Sequence, residues 1–134
     1  MFVFEKMDKG LTPPIEYMPG TANETIVAGE ALVLSSGALT KCGAKVVPTY
    51  IAVGPVKDGI VPVQRVNRDM IWDTTLQAAG TSLVLGDKVT LHTDGLQVTA
   101  TTSETSGETT TLVGVAEIVA FEGKAVGDHV RVRF

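Results

Sequence analysis

The chain has 134 residues, a formal net charge of −4 and a single cysteine. This length predicts one domain whose core needs no disulfide, and one cysteine excludes an internal disulfide and gives no metal framework. The charges are scattered and no arginine run forms, which argues against nucleic-acid binding because phosphates require a basic patch. Aromatic residues make up only 5% of the chain, and Val, Thr and Gly are abundant. That composition is typical of shell-forming and adhesive β proteins more than of enzymes.

Residues 1–24 show no strand alternation beyond Phe2-Val3-Phe4 and contain Pro13, Pro14 and Pro19. Prolines fix φ and remove backbone donors, so this segment is predicted to be an extended N-terminal arm outside the core. A frayed terminus is the alternative, but exposed apolar groups are costly unless they dock. We therefore expect the arm to lie on this domain, a neighbouring subunit or another protein. The candidate interaction residues are Phe2, Phe4, Ile15, Tyr17 and Met18. Charged side chains within the first ten residues argue against a signal peptide or a membrane span, so a cytosol-like compartment is expected.

From residue 25 onward one short sequence motif, which we call the Gly-acid phrase, occurs three times. The copies start at Gly29, Gly86 and Gly127. Each copy is a glycine, an acidic residue, and then apolar residues three and five positions after the glycine. A spacing of two places those residues on one face of a strand, and the Gly-acid pair supplies the turn that starts it. The phrase predicts burial of Leu32, Leu34, Val89, Leu91, Val130 and Val132, with Lys88, Thr90, His129 and Arg131 more exposed.

The likeness between the first two copies extends to a later apolar strand with a Val-Gly step, at Gly54 and at Gly114. We therefore predict a single β domain over residues 25–134, with pseudo-repeats at about 26–56 and 83–119 and a closing strand at 127–134. Two copies are too few for a solenoid. The predicted fold class is all-β: a small β-barrel or sandwich built from two similar halves, with an extended N-terminal arm.

Three further segments have their own signals. Asp58-Gly59 between apolar runs predicts a hairpin. Residues 65–79 suit either a short helix or extended structure, and we favour extended structure with Trp72 as an anchor. Residues 99–111 are rich in Thr, Ser and Glu around Gly107, which predicts an exposed loop or the tip of a long hairpin.

No constellation of side chains indicates catalysis or a cofactor. Cys42 would need a nearby base to act as a nucleophile, and the two possible bases, His92 and His129, are expected on solvent-facing strand positions. Glu30, Asp87 and Asp128 occupy equivalent positions, which indicates local hydrogen bonds in turns rather than shared acid–base work. Two isolated histidines do not make a metal site, and the glycines form no nucleotide-binding motif. Arg131 and Arg133 share the polar face of the last strand, where solvated positions are favoured over binding to an acidic partner.

Several short motifs resemble those of tailed-phage capsid cement proteins, also called head decoration proteins. Their shared pattern is a Gly-Asp strand, a Thr-rich variable stretch, a Gly-Val-Ala strand and a terminal Val-Arg-Val-Arg ending. Glu30 stands here where that pattern has Asp. The likeness covers about residues 25–134, and its motifs lie at residues 28–30, 51–54, 59–63, 85–89, 112–116 and 130–134.

The resemblance implies a structural function on a virion. Proteins of this family bind the outer surface of the assembled head, commonly as trimers, and clamp neighbouring capsomers. The partners implied are the major capsid protein and further copies of this chain, with no nucleic acid, membrane or cofactor. The implied location is the outer surface of the capsid, after synthesis in the host cytoplasm.

The alternative is a ligand- or carbohydrate-binding β module on a virion or cell surface. Such sites usually expose aromatic platforms, for which the chain offers Trp72, Tyr17 and Tyr50, no two of them close in sequence. An enzyme is the third class considered, and the missing constellation argues against it.

Overall fold

The computed structural model describes residues 1–7 and 10–134. All regular secondary structure in these residues is β-strand, so the all-β prediction is confirmed. In chain order the strands are β1 (Val3–Met7), β2 (Ile15–Pro19), β3 (Ala31–Ser35), β4 (Ala38–Lys41), β5 (Tyr50–Ala52), β6 (Ile60–Arg65), β7 (Met70–Thr75), β8 (Lys88–Val89), β9 (Ser103–Ser106), β10 (Thr109–Leu112), β11 (Ala116–Phe121) and β12 (His129–Arg133).

The strands form two five-stranded antiparallel sheets and one hairpin. Sheet A has the order β1-β7-β12-β11-β8, and sheet B has the order β2-β6-β5-β3-β4. Strands β9 and β10 pair only with each other among the described strands. Sheet B therefore comes from residues 15–65, and sheet A comes from residues 70–133 together with β1. The two halves of the chain become the two sheets of a sandwich, and β1 crosses from one half to the other.

The N-terminal segment is extended and lies on its own domain, one of the three expected outcomes, but it is part of both sheets, so the prediction that it lies outside the core is wrong. β1 pairs with β7, where Phe4 lies opposite Trp72, and β2 pairs with β6, where Tyr17 lies opposite Pro62. The prolines do not prevent this, because Pro13 and Pro14 fall between the two strands and edge strands need backbone donors on one side only.

Two clusters of buried side chains hold the sandwich together. The main core lies between the sheets and combines Ile51 of sheet B with Trp72 and Val130 of sheet A, along with Phe2. The sheet B cluster lies on the other face of sheet B. Sheet B serves both because alternate residues point to opposite faces. It also curls, since a bridge from Gly20 to Leu39 brings the end of β2 beside β4. The sheet B cluster consists of Ile26, Leu32, Leu39, Tyr50, Ala52, Val61 and Val63.

The three Gly-acid phrases fold as the same turn. In each, the acidic residue's N–H donates to the carbonyl three residues earlier, at 3.3, 3.2 and 3.1 Å for Glu30, Asp87 and Asp128. Each carboxylate accepts the N–H of that same earlier residue, at 2.9, 2.9 and 2.8 Å. The glycines have φ of 80°, 91° and 87°, as the third position of a type II turn requires. The predicted turn role of the three acids is confirmed.

Each turn is also tied to an antiparallel neighbour by the same pair of backbone hydrogen bonds. The glycine N–H donates to one residue, whose own N–H donates back to the carbonyl of the acid. The partner is Ala52 for Gly29, Ile118 for Gly86 and Leu76 for Gly127. Ala52 lies before Gly54 whereas Ile118 lies after Gly114, so the predicted equivalence of these two Val-Gly steps is wrong.

Gly114 has a separate reason to be glycine. A Cβ at this position would lie 1.9 Å from the carbonyl oxygen of Lys88. The segment before β11 thus passes against the backbone of β8, a close approach that only glycine permits.

The burial pattern after the three glycines matches the prediction at five of six positions. Leu32, Val89, Leu91, Val130 and Val132 are at most 1% exposed, but Leu34 is 47% exposed. Leu34 lies one residue before the end of β3, opposite Leu39 of β4, which is fully buried. Thr90 was expected to be exposed and is buried, because its hydroxyl has a partner in Thr99 Oγ1 at 2.7 Å.

The local predictions elsewhere are confirmed. Residues 70–75 form strand β7, and Trp72 is fully buried in the main core. Asp58 and Gly59 both have positive φ, 51° and 75°, as a two-residue type I′ hairpin turn requires. The Thr-rich segment forms the exposed β9–β10 hairpin.

Candidate interaction surface

The lone thiol is not placed for chemistry. Cys42 is buried in the main core, and its Sγ donates to the Val46 carbonyl at 3.0 Å. Burial raises the pKa of the Cys42 thiol to about 11. At neutral pH the side chain is therefore a protonated thiol, which is neither nucleophilic nor a metal ligand.

The two histidines each face one carboxylate. His92 Nδ1 lies 3.0 Å from Asp94 Oδ2, and His129 Nδ1 lies 2.7 Å from Asp73 Oδ2. Burial alone would raise the pKa of Asp94, but hydrogen bonds from the Leu96 N–H and the His92 side chain lower it below its ordinary value. In the part of the chain that the structure describes, no group of three or more His, Cys, Asp or Glu side chains could hold a metal ion.

The arginines of the last strand lie among acids of their own chain. Arg131 contacts Glu5 at 3.4 Å and Glu122 at 3.0 Å on the outer face of sheet A. Arg133 lines an open groove of about 690 Å³, together with Lys88 and Glu117. This groove carries charges of both signs, since Asp69 and Glu117 lie among its basic side chains.

Three of the five candidate interaction residues contact their own domain. Phe2 is 2% exposed, and its ring lies 5.5 Å from that of Phe134. The Phe4 ring meets Trp72 edge to face, with centroids 5.9 Å apart. Met18 packs on the sheet B cluster. Phe2 therefore cannot serve as the partner anchor that the sequence suggested, since it is already part of the core.

Ile15 and Tyr17, the other two candidates, remain uncovered. They are 50% and 72% exposed and lie on the same side of β2. The register of β2 with β6 places Ile60 and Pro62 on that side too, beside Val53. We call this surface the β2–β6 face, and it consists of Ile15, Tyr17, Pro19, Val53, Ile60 and Pro62.

A second exposed apolar surface lies at one end of sheet A. Val84 and Leu85 occupy the first two positions of one Gly-acid turn, and Val126 occupies the second position of another; they are 59%, 63% and 65% exposed. The two turns are neighbours, since Lys124 Nζ donates to the Leu83 carbonyl at 2.5 Å. We call Val84, Leu85 and Val126 the turn-end patch. The sequence feature that could have indicated this patch is the presence of apolar residues directly before the Gly-acid pairs at Gly86 and Gly127.

No family model, curated protein or solved structure matches this chain. No helix among the described residues is long and apolar enough to cross a membrane.

Proposed function

We propose that the protein is a phage capsid decoration, or cement, protein. It binds the outer surface of the assembled head as a homo-oligomer, in this proposal a trimer, and clamps neighbouring capsomers. It performs no catalysis. The observation that carries the proposal is the set of Gly-acid strand motifs, with the Gly-Val-Ala segment and the Val-Arg-Val-Arg-Phe ending, which resembles the cement protein pattern.

The distribution of apolar side chains supports a function in protein contacts. Soluble monomers rarely expose contiguous apolar patches larger than a few hundred Å², and this domain exposes apolar side chains both on the β2–β6 face and at the turn-end patch. The turn-end patch lies on two tight turns, each held by a backbone hydrogen bond and by a second one to the acidic side chain. Its shape is therefore fixed before a partner binds. A fixed surface loses little entropy on binding.

We assign the contact with the capsid to the turn-end patch. Three aliphatic side chains give a weak contact on their own. Several copies in one oligomer, bound to a lattice of repeated sites, act together through avidity. Binding to the assembled lattice and not to free capsomers stabilises the lattice by mass action.

The carbohydrate-binding alternative gains no support from the aromatic side chains. Trp72 is fully buried and Tyr50 is 6% exposed, both within hydrophobic clusters. Tyr17 is the one exposed aromatic side chain of the three that the sequence offered as a platform.

The test is co-sedimentation with expanded heads of the phage that encodes the protein, assembled without it. The wild-type chain should bind saturably, and Leu85→Glu should lose most of that binding because it places a charge in an apolar contact. The matched control is Leu112→Glu, which changes an 84% exposed leucine on β10 and should bind as the wild type does. Failure of the wild-type chain to bind saturably refutes the proposed function, whereas equal binding by the Leu85 variant refutes only the assigned patch.

A further inference from the structure

We propose that the β2–β6 face is the surface on which a second copy of this chain docks. This inference deepens the homo-oligomer of the proposed function and rests on that part of it, but not on the identity of the capsid. The face differs from the turn-end patch in position and in size, and it lies on the flat of a sheet rather than on turns.

The register of the strands makes the face continuous. Tyr17 lies directly opposite Pro62, and Pro19 lies opposite Ile60. Val53 donates its N–H to the Pro62 carbonyl at 2.9 Å, which extends the row across a third chain segment. Directly opposed side chains on one face of a sheet are in contact range, so the six residues form one surface, and none of them carries a charge.

The edge beside this face is only partly covered. Strand β2 pairs with β6 on one side, and β4 lies beside its other edge only near Gly20, which bridges to Leu39. Beyond Val53 the surface continues into an apolar groove of about 390 Å³ lined by Phe4 and Ile51.

The area fits an interface between copies. Side chains of these types at these exposures leave on the order of 500 Å² of surface uncovered, near the upper end for a soluble monomer. An interface that buries the face on one copy and an equal area on the next covers on the order of 1,000 Å² in total, which is about the minimum for a specific interface. The core of a protein–protein interface is depleted in charged residues, and this face has none.

A second copy is also the partner that the free protein always meets. The protein exists in solution before any shell is available, and an uncovered apolar face would then promote aggregation. By contrast, the outer face of sheet A carries charged and polar side chains in contact with one another, which suit contact with water. They are Glu5, Asp73, Glu122, His129 and Arg131.

The experiment is light scattering on a size-exclusion column, run over a range of protein concentrations without any capsid. The wild-type chain should be oligomeric at about 100 µM, and Tyr17→Glu and Ile60→Glu should each raise the dissociation constant by roughly 30-fold or more. Leu112→Glu is the matched control, because it introduces the same charge at an exposed leucine of β10 outside both apolar surfaces, and it should remain oligomeric. Far-ultraviolet circular dichroism confirms that each variant is folded.

Two results overturn the inference: a monomeric wild-type chain at this concentration, or an oligomer that persists in both β2–β6 variants. Hydrogen exchange of the wild-type chain keeps the test valid if a variant fails to fold. Amide protection at residues 15–19 and 53–62 should rise with protein concentration, and protection that rises elsewhere instead refutes the inference. Loss of head binding by an intact oligomer counts against the proposed function alone.

Discussion

Leu91 and Leu34 occupy the same position in the repeated phrase, five residues after Gly86 and Gly29, and they differ in burial. Leu91 is 1% exposed in the main core, whereas Leu34 is 47% exposed. Truncating a buried leucine removes transfer free energy and leaves a cavity. We expect Leu91→Ala to lower the free energy of unfolding by about 2–5 kcal/mol, and Leu34→Ala by less than about 1 kcal/mol. Urea denaturation of both variants measures this difference, and equal losses would show that the burial pattern is wrong.

Cys42 should make stability depend on pH in the alkaline range. Burial raises the pKa of its thiol from 9.0 to about 11, so the folded state holds this proton to higher pH than the unfolded state. Its contribution is fully present below about pH 9 and is lost as pH rises toward 11, by up to about 3 kcal/mol. The measurement is the unfolding free energy of the wild type minus that of Cys42→Ala at pH 8 and at pH 11. This difference should fall, because other titrating groups cancel; a constant difference would contradict the assignment.

At the scale of elements, β1 should be necessary for the stability of sheet A. Phe2 is 2% exposed in the main core, and Phe4 packs edge to face on Trp72. We expect Phe2→Ala to lower the free energy of unfolding by about 3–5 kcal/mol. Deletion of residues 1–7 should expose Trp72 and shift its fluorescence to longer wavelength. Tyr17→Ala is the control, since Tyr17 is 72% exposed and its truncation should change the stability of the isolated chain little. A truncated chain with native fluorescence would show that β1 is dispensable.

The turns could be predicted from the sequence because each is specified within four residues. A glycine with positive φ and a carboxylate that reaches back three residues both show in the local pattern at Gly29, Gly86 and Gly127. The Asp58-Gly59 hairpin is local for the same reason. Extended structure at residues 70–75 was also predicted correctly, with Trp72 as a residue that anchors the strand in the core.

Strand β1 and the equivalence of Gly54 with Gly114 could not be judged locally. Three alternating residues, Phe2 to Phe4, are too few to indicate a strand, and their partner β7 is about seventy positions away. The backbone hydrogen bonds that make Ala52 and Ile118 equivalent are likewise set by pairing in the folded chain. Part of the β2–β6 face could be predicted, since the sequence analysis already gave Ile15 and Tyr17 as candidate interaction residues. The residues of β6 could be added only once the register between β2 and β6 was known.

At the scale of the whole molecule, the two clusters should unfold together. Sheet B supplies residues to the main core through one face and to its own cluster through the other. Loss of one cluster therefore removes support from the other cluster. Trp72 lies in the main core and is the single tryptophan of the chain. Its fluorescence therefore reports on the main core and not on the sheet B cluster. A cooperative molecule must nevertheless transmit damage in that cluster to this signal.

Leu39→Ala tests this coupling, because Leu39 is fully buried in the sheet B cluster and belongs to no part of the main core. We expect the substitution to lower the free energy of unfolding by about 2–5 kcal/mol, and to lower the urea midpoint equally whether it is read from Trp72 fluorescence or from far-ultraviolet circular dichroism. Leu34→Ala, on the neighbouring strand but exposed, should leave both midpoints close to the wild type. If the midpoint from circular dichroism falls while that from Trp72 stays fixed, the sheet B cluster melts by itself. The protein would then unfold as two units, and the main core would remain folded after the sheet B cluster is lost.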